Sequence, residues 1–447
     1  MSVTDEIARK SSPDDPKDME QRHKRPRSSL RIPLVITLVL LMIIIVLGQV
    51  SASLSANQAP ASRARETLAN GPFAAMPLGP TQIDAMRHLV TYMDYKQLAK
   101  LYVSRMTLDE ELGQLFMAEY YDTYYAPELD MMINQLHAGG VVMYAFQMNT
   151  FAQTRHDIAM MQKRATLPLL ISADEEGGFV ERVQNIYGHL PGALETYQTG
   201  NPKNAARLGN TIAHQLLQLG INTDLAPDVD VQLVNGPDQY LRTWGYTPQS
   251  VITYGGAYLS AIQSDGVIGC IKHFPGLGAA KTDAHYDLPK VDRTESQIYS
   301  TELAPFKYFI QTRNPLEQPG MIMSTDILMP AIDPKLPAEL SPIFMTDILR
   351  KQFGYDGVVI TDALYMKGIS DKWNLGQAAV MAIQAGNDML LGANGPYQML
   401  EMLNALKAAL QDGQLSRARI DEAATRIITL KLERHLMPMV APQYYNL

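Results

Sequence analysis

Between residues 115 and 391 the sequence repeats one pattern: a short apolar run, then a longer stretch with helical spacing. The runs fall at 115–118, 140–144, 167–173, 221–226, 267–271, 321–324, 358–361 and 389–391. The intervals hold amphipathic stretches such as 204–219, 248–264, 296–312, 377–385 and 397–410, the alternation of a parallel sheet with crossover helices. Eight repeats over roughly 330 residues predict an α/β fold of the closed (β/α)8 type rather than an open doubly wound sheet. No GxGxxG follows the first run, so a dinucleotide fold is not indicated. The chain has 447 residues, 46% of them hydrophobic and 19% charged, which excludes disorder throughout and allows a large core. The barrel domain is assigned to 81–437. Helical spacing over 82–105, with Ile83, Met86, Leu89, Tyr92 and Met93 available for one face, opens it. Thr107-Leu108-Asp109-Glu110 has the form of a capping box and marks a second helix start.

The first fifty residues have another character. Arg22, Lys24, Arg25, Arg27 and Arg31 lie in a polar stretch without acids, and 32–48 is almost wholly apolar. A basic cluster on the amino-terminal side of an apolar segment predicts a cytoplasmic tail (1–31), a transmembrane helix (32–50) and an extracytoplasmic remainder. The apolar core of about 17 residues lies between a signal peptide and a full span, and Ser51-Ala52-Ser53 offers a cleavage site. A retained anchor is the expectation, and a secreted product follows if the leader is cut. Residues 51–80, rich in Ala, Ser and Pro, are a flexible linker, and 438–447 form a tail. With 38 basic against 46 acidic residues, net −8, no positive field exists to hold nucleic acid. Cys270 is the single cysteine, so no internal disulfide can form. A monomer is expected.

In a barrel of this type, chemistry belongs where strands end. Asp174, Asp228, Lys272, His273, Ser324 and Asp362 follow successive runs. Each alone is more often a turn former or helix cap; their convergence on one rim points to a site.

Lys272-His273-Phe274-Pro275-Gly276-Leu277-Gly278, followed by Asp283-Ala284-His285, resembles the signature of glycoside hydrolase family 3, in its bacterial β-N-acetylglucosaminidase branch. Four further segments stand in the family's order: Met106-Thr107-Leu108-Asp109-Glu110, the stretch from Asp174-Glu175-Glu176-Gly177-Gly178 to Arg182, Arg242-Thr243-Trp244-Gly245, and Gly357 to Met366 around Asp362. The resemblance implies that Asp362 is the nucleophile forming a glycosyl-enzyme intermediate, and that His285 with Asp283 is the acid/base dyad. It implies also that Asp174, Arg182, Arg242, Lys272 and His273 bind the hydroxyls of the terminal sugar.

Chemistry independently favours a histidine acid. Imidazole near pKa ~6.5 beside a carboxylate is stabilised as the cation, whereas an unperturbed Glu near ~4.3 is ionised at neutral pH. Gly177 and Gly178 are expected to let the backbone approach the ligand. Three positions depart from the family pattern: Leu277 for His, Ala284 for Ser and Trp244 for Phe. Leu277 is expected to alter how the loop carrying His285 folds or what it contacts.

The expected function is retaining hydrolysis of terminal β-linked N-acetylglucosamine on an extracytoplasmic glycan, with no cofactor and no metal. Alternatives are phosphorolysis, a β-glucosidase or xylosidase specificity, a non-catalytic sugar-binding protein, and an aldolase-type barrel with Lys272 as a Schiff-base amine. Tyr120, Tyr121, Tyr124 and Tyr125 after the first run either stack on a sugar or pack around a loop. Cys270, two residues before Lys272, points the same way into the barrel as packing. Met131, Met132, Met399 and Met402 fit helix or core packing.

Overall fold

The computed structural model describes residues 94–236, 241–283 and 285–437. The expectations for the tail 1–31, the apolar segment 32–50, the linker 51–80, the helical spacing at 82–93 and the tail 438–447 lie outside these residues. Among the described residues, no helix is long and apolar enough to cross a membrane.

Eight parallel strands close into a barrel in chain order: β1 Phe116–Glu119, β2 Gly140–Val142, β3 Leu170–Ala173, β4 Thr223–Asp224, β5 Ile268–Phe274, β6 Met321–Ser324, β7 Val358–Ala363 and β8 Met389–Asn394, with β8 pairing back onto β1. The strands read as apolar runs because parallel strands ringed by helices are covered on both faces; β1, β2, β3, β5 and β6 are buried throughout. The 248–264 helix forms as Pro248–Ser264, capped by Thr247, and 204–219 as Pro202–Leu219. Thr107 caps Leu108–Gln114 as expected: its hydroxyl accepts from the Glu110 amide at 3.3 Å, while the Glu110 carboxylate accepts from the Thr107 amide at 2.7 Å.

Four elements differ from expectation. The 296–312 stretch is two helices, Glu295–Ser300 and Leu303–Gln311, broken where the buried Glu302 turns to Arg293 at 2.6 Å. β4 keeps two residues of the apolar run 221–226, because Pro227 has no N–H for a ladder. Its carbonyl and that of Ala226 still accept from Lys272 and Cys270 of β5, at 3.2 and 3.0 Å. β5 and β7 outlast their apolar runs, so Lys272, His273 and Asp362 lie within strands rather than after them. The pairing register shifts at these positions, between Ile271 and Phe274 on β5 and between Ile360 and Ala363 on β7. Such irregularities re-aim side chains that strict alternation would send to opposite faces.

At the amino-terminal end of β8 the fully buried Asp388 binds three arginines. Its Oδ2 accepts from Arg350 at 2.5 Å and from the Val359 amide at 3.1 Å, and its Oδ1 accepts from Arg419 at 2.9 Å and Arg426 at 3.1 Å. One charge thereby ties the helices Ile343–Gln352 and Arg417–Glu433 to the sheet.

Candidate active site

A cavity of about 500 Å³ opens at the carboxyl end of the strands. Asp174, Arg182, Arg242, Lys272, His273, Asp283, His285 and Asp362 all line it. Cavities of similar size at the other end of the barrel surround Asp356 and Arg426, where the charged side chains pair with one another.

The cavity has a charged side built from β3 to β5. Lys272 is almost fully buried, and its Nζ lies 2.7 Å from Asp174 Oδ1 and 2.7 Å from Glu176 Oε1. Arg242 grips both oxygens of Glu176, Nε at 3.0 Å and Nη2 at 2.8 Å, and Arg182 stands 3.7 Å from Asp174. Burial alone would neutralise these groups, but mutual charge prevails. Against burial, Lys272 and Arg182 hold Asp174 below the usual carboxylate range, and Arg242 with Lys272 hold Glu176 well below it. Likewise, against burial, Asp174 and Glu176 keep Lys272 above the ordinary lysine range. A Schiff-base lysine needs the opposite shift, so the aldolase alternative loses its physical basis.

Asp230 organises the next turn. Its Oδ1 accepts from the Leu277 amide at 2.8 Å and the His273 amide at 3.3 Å, and its Oδ2 lies 2.8 Å from His273 Nδ1. Arg242 Nη2 is 3.5 Å from His273 Nε2. A guanidinium only donates, so Nε2 accepts and Nδ1 carries the proton toward Asp230. Asp228, Asp230 and His273 are also the group, among the described residues, whose ligand atoms approach within 4.8 Å and could hold a metal. Their donors are largely spent on one another, and Arg242 supplies a positive charge beside them. Burial and the Asp230 charge push Asp228 well above the usual range.

Asp362 stands at the end of β7 with Thr325 Oγ1 at 3.3 Å and the Ala363 amide at 2.8 Å. On the β5 side the Asp283 carboxylate accepts from the His285 amide at 2.8 Å and lies 2.8 Å from His285 Nδ1. The His285 side chain is 64% exposed and Asp283 23%, which places the dyad at the mouth of the cavity.

The family model for the glycosyl hydrolase family 3 N terminal domain matches residues 107–430. The chain belongs to glycosyl hydrolase family 3. It is similar to "Beta-hexosaminidase A" of Pseudoalteromonas piscicida, 33% identical over 68% of this chain and 55% of that one. An "Uncharacterized secreted glycosyl hydrolase" of Arthroderma benhamiae is 31% identical over 75% of this chain and 97% of its own. A family 3 β-N-acetylglucosaminidase structure from Paenibacillus sp. shares 33% identity and superposes with a TM-score of 0.69, covering 74% of this chain and 63% of that one. The chain thus spans little more than half of the Pseudoalteromonas protein.

The expectation for two glycines is corrected, and the other positions singled out by the sequence fall as follows. Gly177 and Gly178, at φ +78° and +65°, pack on the loop 190–192 instead of opening the backbone to a ligand: a Cβ would meet Pro191 O at 2.4 Å and Gly192 Cα at 2.6 Å. Leu277 is buried and serves Asp230 through its backbone, and the loop it begins still brings His285 to the cavity. Trp244 packs on Tyr258, ring centroids 5.5 Å apart. Ala284 lies outside the described residues. None of Tyr120, Tyr121, Tyr124 and Tyr125 lines the cavity; Tyr120 is buried, and Tyr125 bonds Asp130 at 2.5 Å. Glu176 and Asp230 carry the geometry of the site without having been singled out. Their signal was position alone, Glu176 two residues after Asp174 and Asp230 two after Asp228.

Proposed function

We propose that this chain is a retaining glycosidase that removes terminal β-linked N-acetylglucosamine from glycans outside the cytoplasm. The observation carrying this reading is that Asp362 and the Asp283–His285 pair line one cavity together with the charged sugar-binding set. The beta-hexosaminidase and β-N-acetylglucosaminidase relatives support the sugar, and the secreted relative supports the compartment.

In this reading Asp362 attacks the anomeric carbon while His285, oriented through Nδ1 by Asp283, protonates the departing oxygen; the same imidazole then takes a proton from the water that releases the sugar. Lys272, Arg242, Arg182, His273 and Asp174 bind the hydroxyls. Because their charges are paired before substrate arrives, little reorganisation accompanies binding. A hydroxyl of the wrong configuration leaves a buried charged partner unmatched, which confers selectivity.

Turnover of an aryl β-N-acetylglucosaminide tests the proposal. Asp362→Ala is expected to lower kcat by at least about a thousandfold with the fold intact. Binding without wild-type turnover would instead favour a sugar-binding protein. Product analysis with added phosphate separates the chemistries, since sugar 1-phosphate would overturn hydrolysis. Aryl glycosides differing only at carbon 2 test the acetamido preference.

A further inference from the structure

Opposite the charged side, the cavity wall from β7 round to β2 hides a carboxyl. Glu119 ends β1 and is 1% exposed. Its Oε2 accepts from Tyr144 OH at 2.8 Å and Tyr365 OH at 3.2 Å, while Oε1 is buried without a hydrogen-bond partner. Both tyrosines line the cavity, and Tyr365 follows Asp362 by three residues. The Arg182 guanidinium lies 5.6 Å over the Tyr144 ring and reaches Asp174.

We propose that Glu119 is a positioning residue of the active site: from behind the wall its carboxyl fixes the hydroxyls of Tyr144 and Tyr365, and through Tyr144 the seat of Arg182. The inference rests on the glycosidase reading of the cavity. A buried acid retained for stability is ordinarily paired with a cation. Among the described residues Glu119 forms no ion pair, and its side-chain partners are two neutral hydroxyls that both line the cavity. A phenol that donates to Glu119 presents its lone pairs elsewhere, so the two tyrosines offer acceptors to a sugar O–H or to the N–H of an acetamido group.

The charge state fits this role. Burial pushes the Glu119 carboxyl up to about 7, with the Asp362 charge acting in the same sense and the two tyrosine hydroxyls and the Gly392 amide opposing. On the acid side of neutrality the group is neutral, so no second anion stands beside the nucleophile.

The test compares wild type, Glu119→Ala, Glu119→Gln, Tyr144→Phe/Tyr365→Phe, and the triple variant with Ala at 119. Each is assayed for kcat and KM on an aryl β-N-acetylglucosaminide from pH 5 to 8, with thermal melts as a check of folding. Glu119→Ala is expected to lower kcat/KM about 10- to 100-fold, whereas Glu119→Gln, which keeps an acceptor oxygen, restores it to within about threefold at pH 5. The triple variant should be no worse than Tyr144→Phe/Tyr365→Phe, because the carboxyl acts through those hydroxyls. Unchanged kcat/KM in a folded Glu119→Ala overturns the proposal, and so does equal loss in Glu119→Gln or full additivity in the triple variant. Affinity for N-acetylglucosamine, measured by calorimetry on the same proteins, keeps the two questions apart. A wild type that binds but never turns over refutes hydrolysis, while equal affinity of wild type and Glu119→Ala refutes the role of Glu119.

Discussion

Glu176 sits between two cations that would otherwise repel each other inside the barrel. It shares Lys272 with Asp174 and holds Arg242 in a two-toothed grip. Removing its charge leaves a buried lysine and a buried guanidinium with one carboxylate fewer, a loss in the class of about 3 kcal/mol for a broken buried pair. Glu176→Gln is therefore expected to lower the denaturation midpoint and to raise KM about tenfold, equivalent to about 1.4 kcal/mol of binding; unchanged KM in a folded variant would show that the sugar does not depend on this pairing. At this scale the residues that line the cavity were legible, since Asp174, Lys272, His273 and Asp362 follow apolar runs. The residues that hold them were not. Glu119, Glu176 and Asp230 are defined by partners on other strands, and no local spacing encodes a hydrogen bond between β1 and the turn after β7.

Among the elements, the helices with strong caps were readable to within two residues. Thr107, Thr247 and Asn201 each supply a side-chain acceptor to a first-turn amide, and the energetics of that bond are local. Strand ends were less legible, because β5 continues through a lysine and a histidine whose burial is made tolerable by charges in the segments after β3 and β4. The Asp388 cluster is a second non-local device. Asp388→Asn should destabilise by about 3–5 kcal/mol, because three guanidiniums lose their shared counterion. Chemical denaturation checks it, and a midpoint equal to wild type would mean that Arg350, Arg419 and Arg426 find other partners.

For the molecule as a whole, the eight-fold alternation sufficed for the barrel, and the eight residues that the resemblance singled out line one cavity. The pH dependence of stability belongs to this scale. Glu111, Glu119 and Glu175 are all pushed up to about 7, first by burial. Their folded values exceed the usual 4.5, so the unfolded chain binds fewer protons between about 4.5 and 7, and their stabilising contribution is lost as pH rises through 7. Asp174, Glu176 and Asp388 are shifted down by their cations, and their contribution is lost as acid protonates them. Lys431, lowered to about 7 by burial, adds stability only as pH climbs above that value. The melting temperature should accordingly be higher near pH 5.5 than near pH 7.5, and the difference should shrink in Glu119→Gln/Glu175→Gln. A flat or rising profile over that interval would show that these acids ionise freely in the native state.

The arginine cluster at Asp388 also bears on how such a ring is completed during synthesis. The aspartate leaves the ribosome at the start of the final strand, while two of its three counterions are still to be translated. Until Arg419 and Arg426 arrive, closing the ring would bury an anion matched by Arg350 alone. The expected outcome is that the barrel shuts only once the last helix is in place, so that a nascent chain halted short of residue 426 remains open to protease.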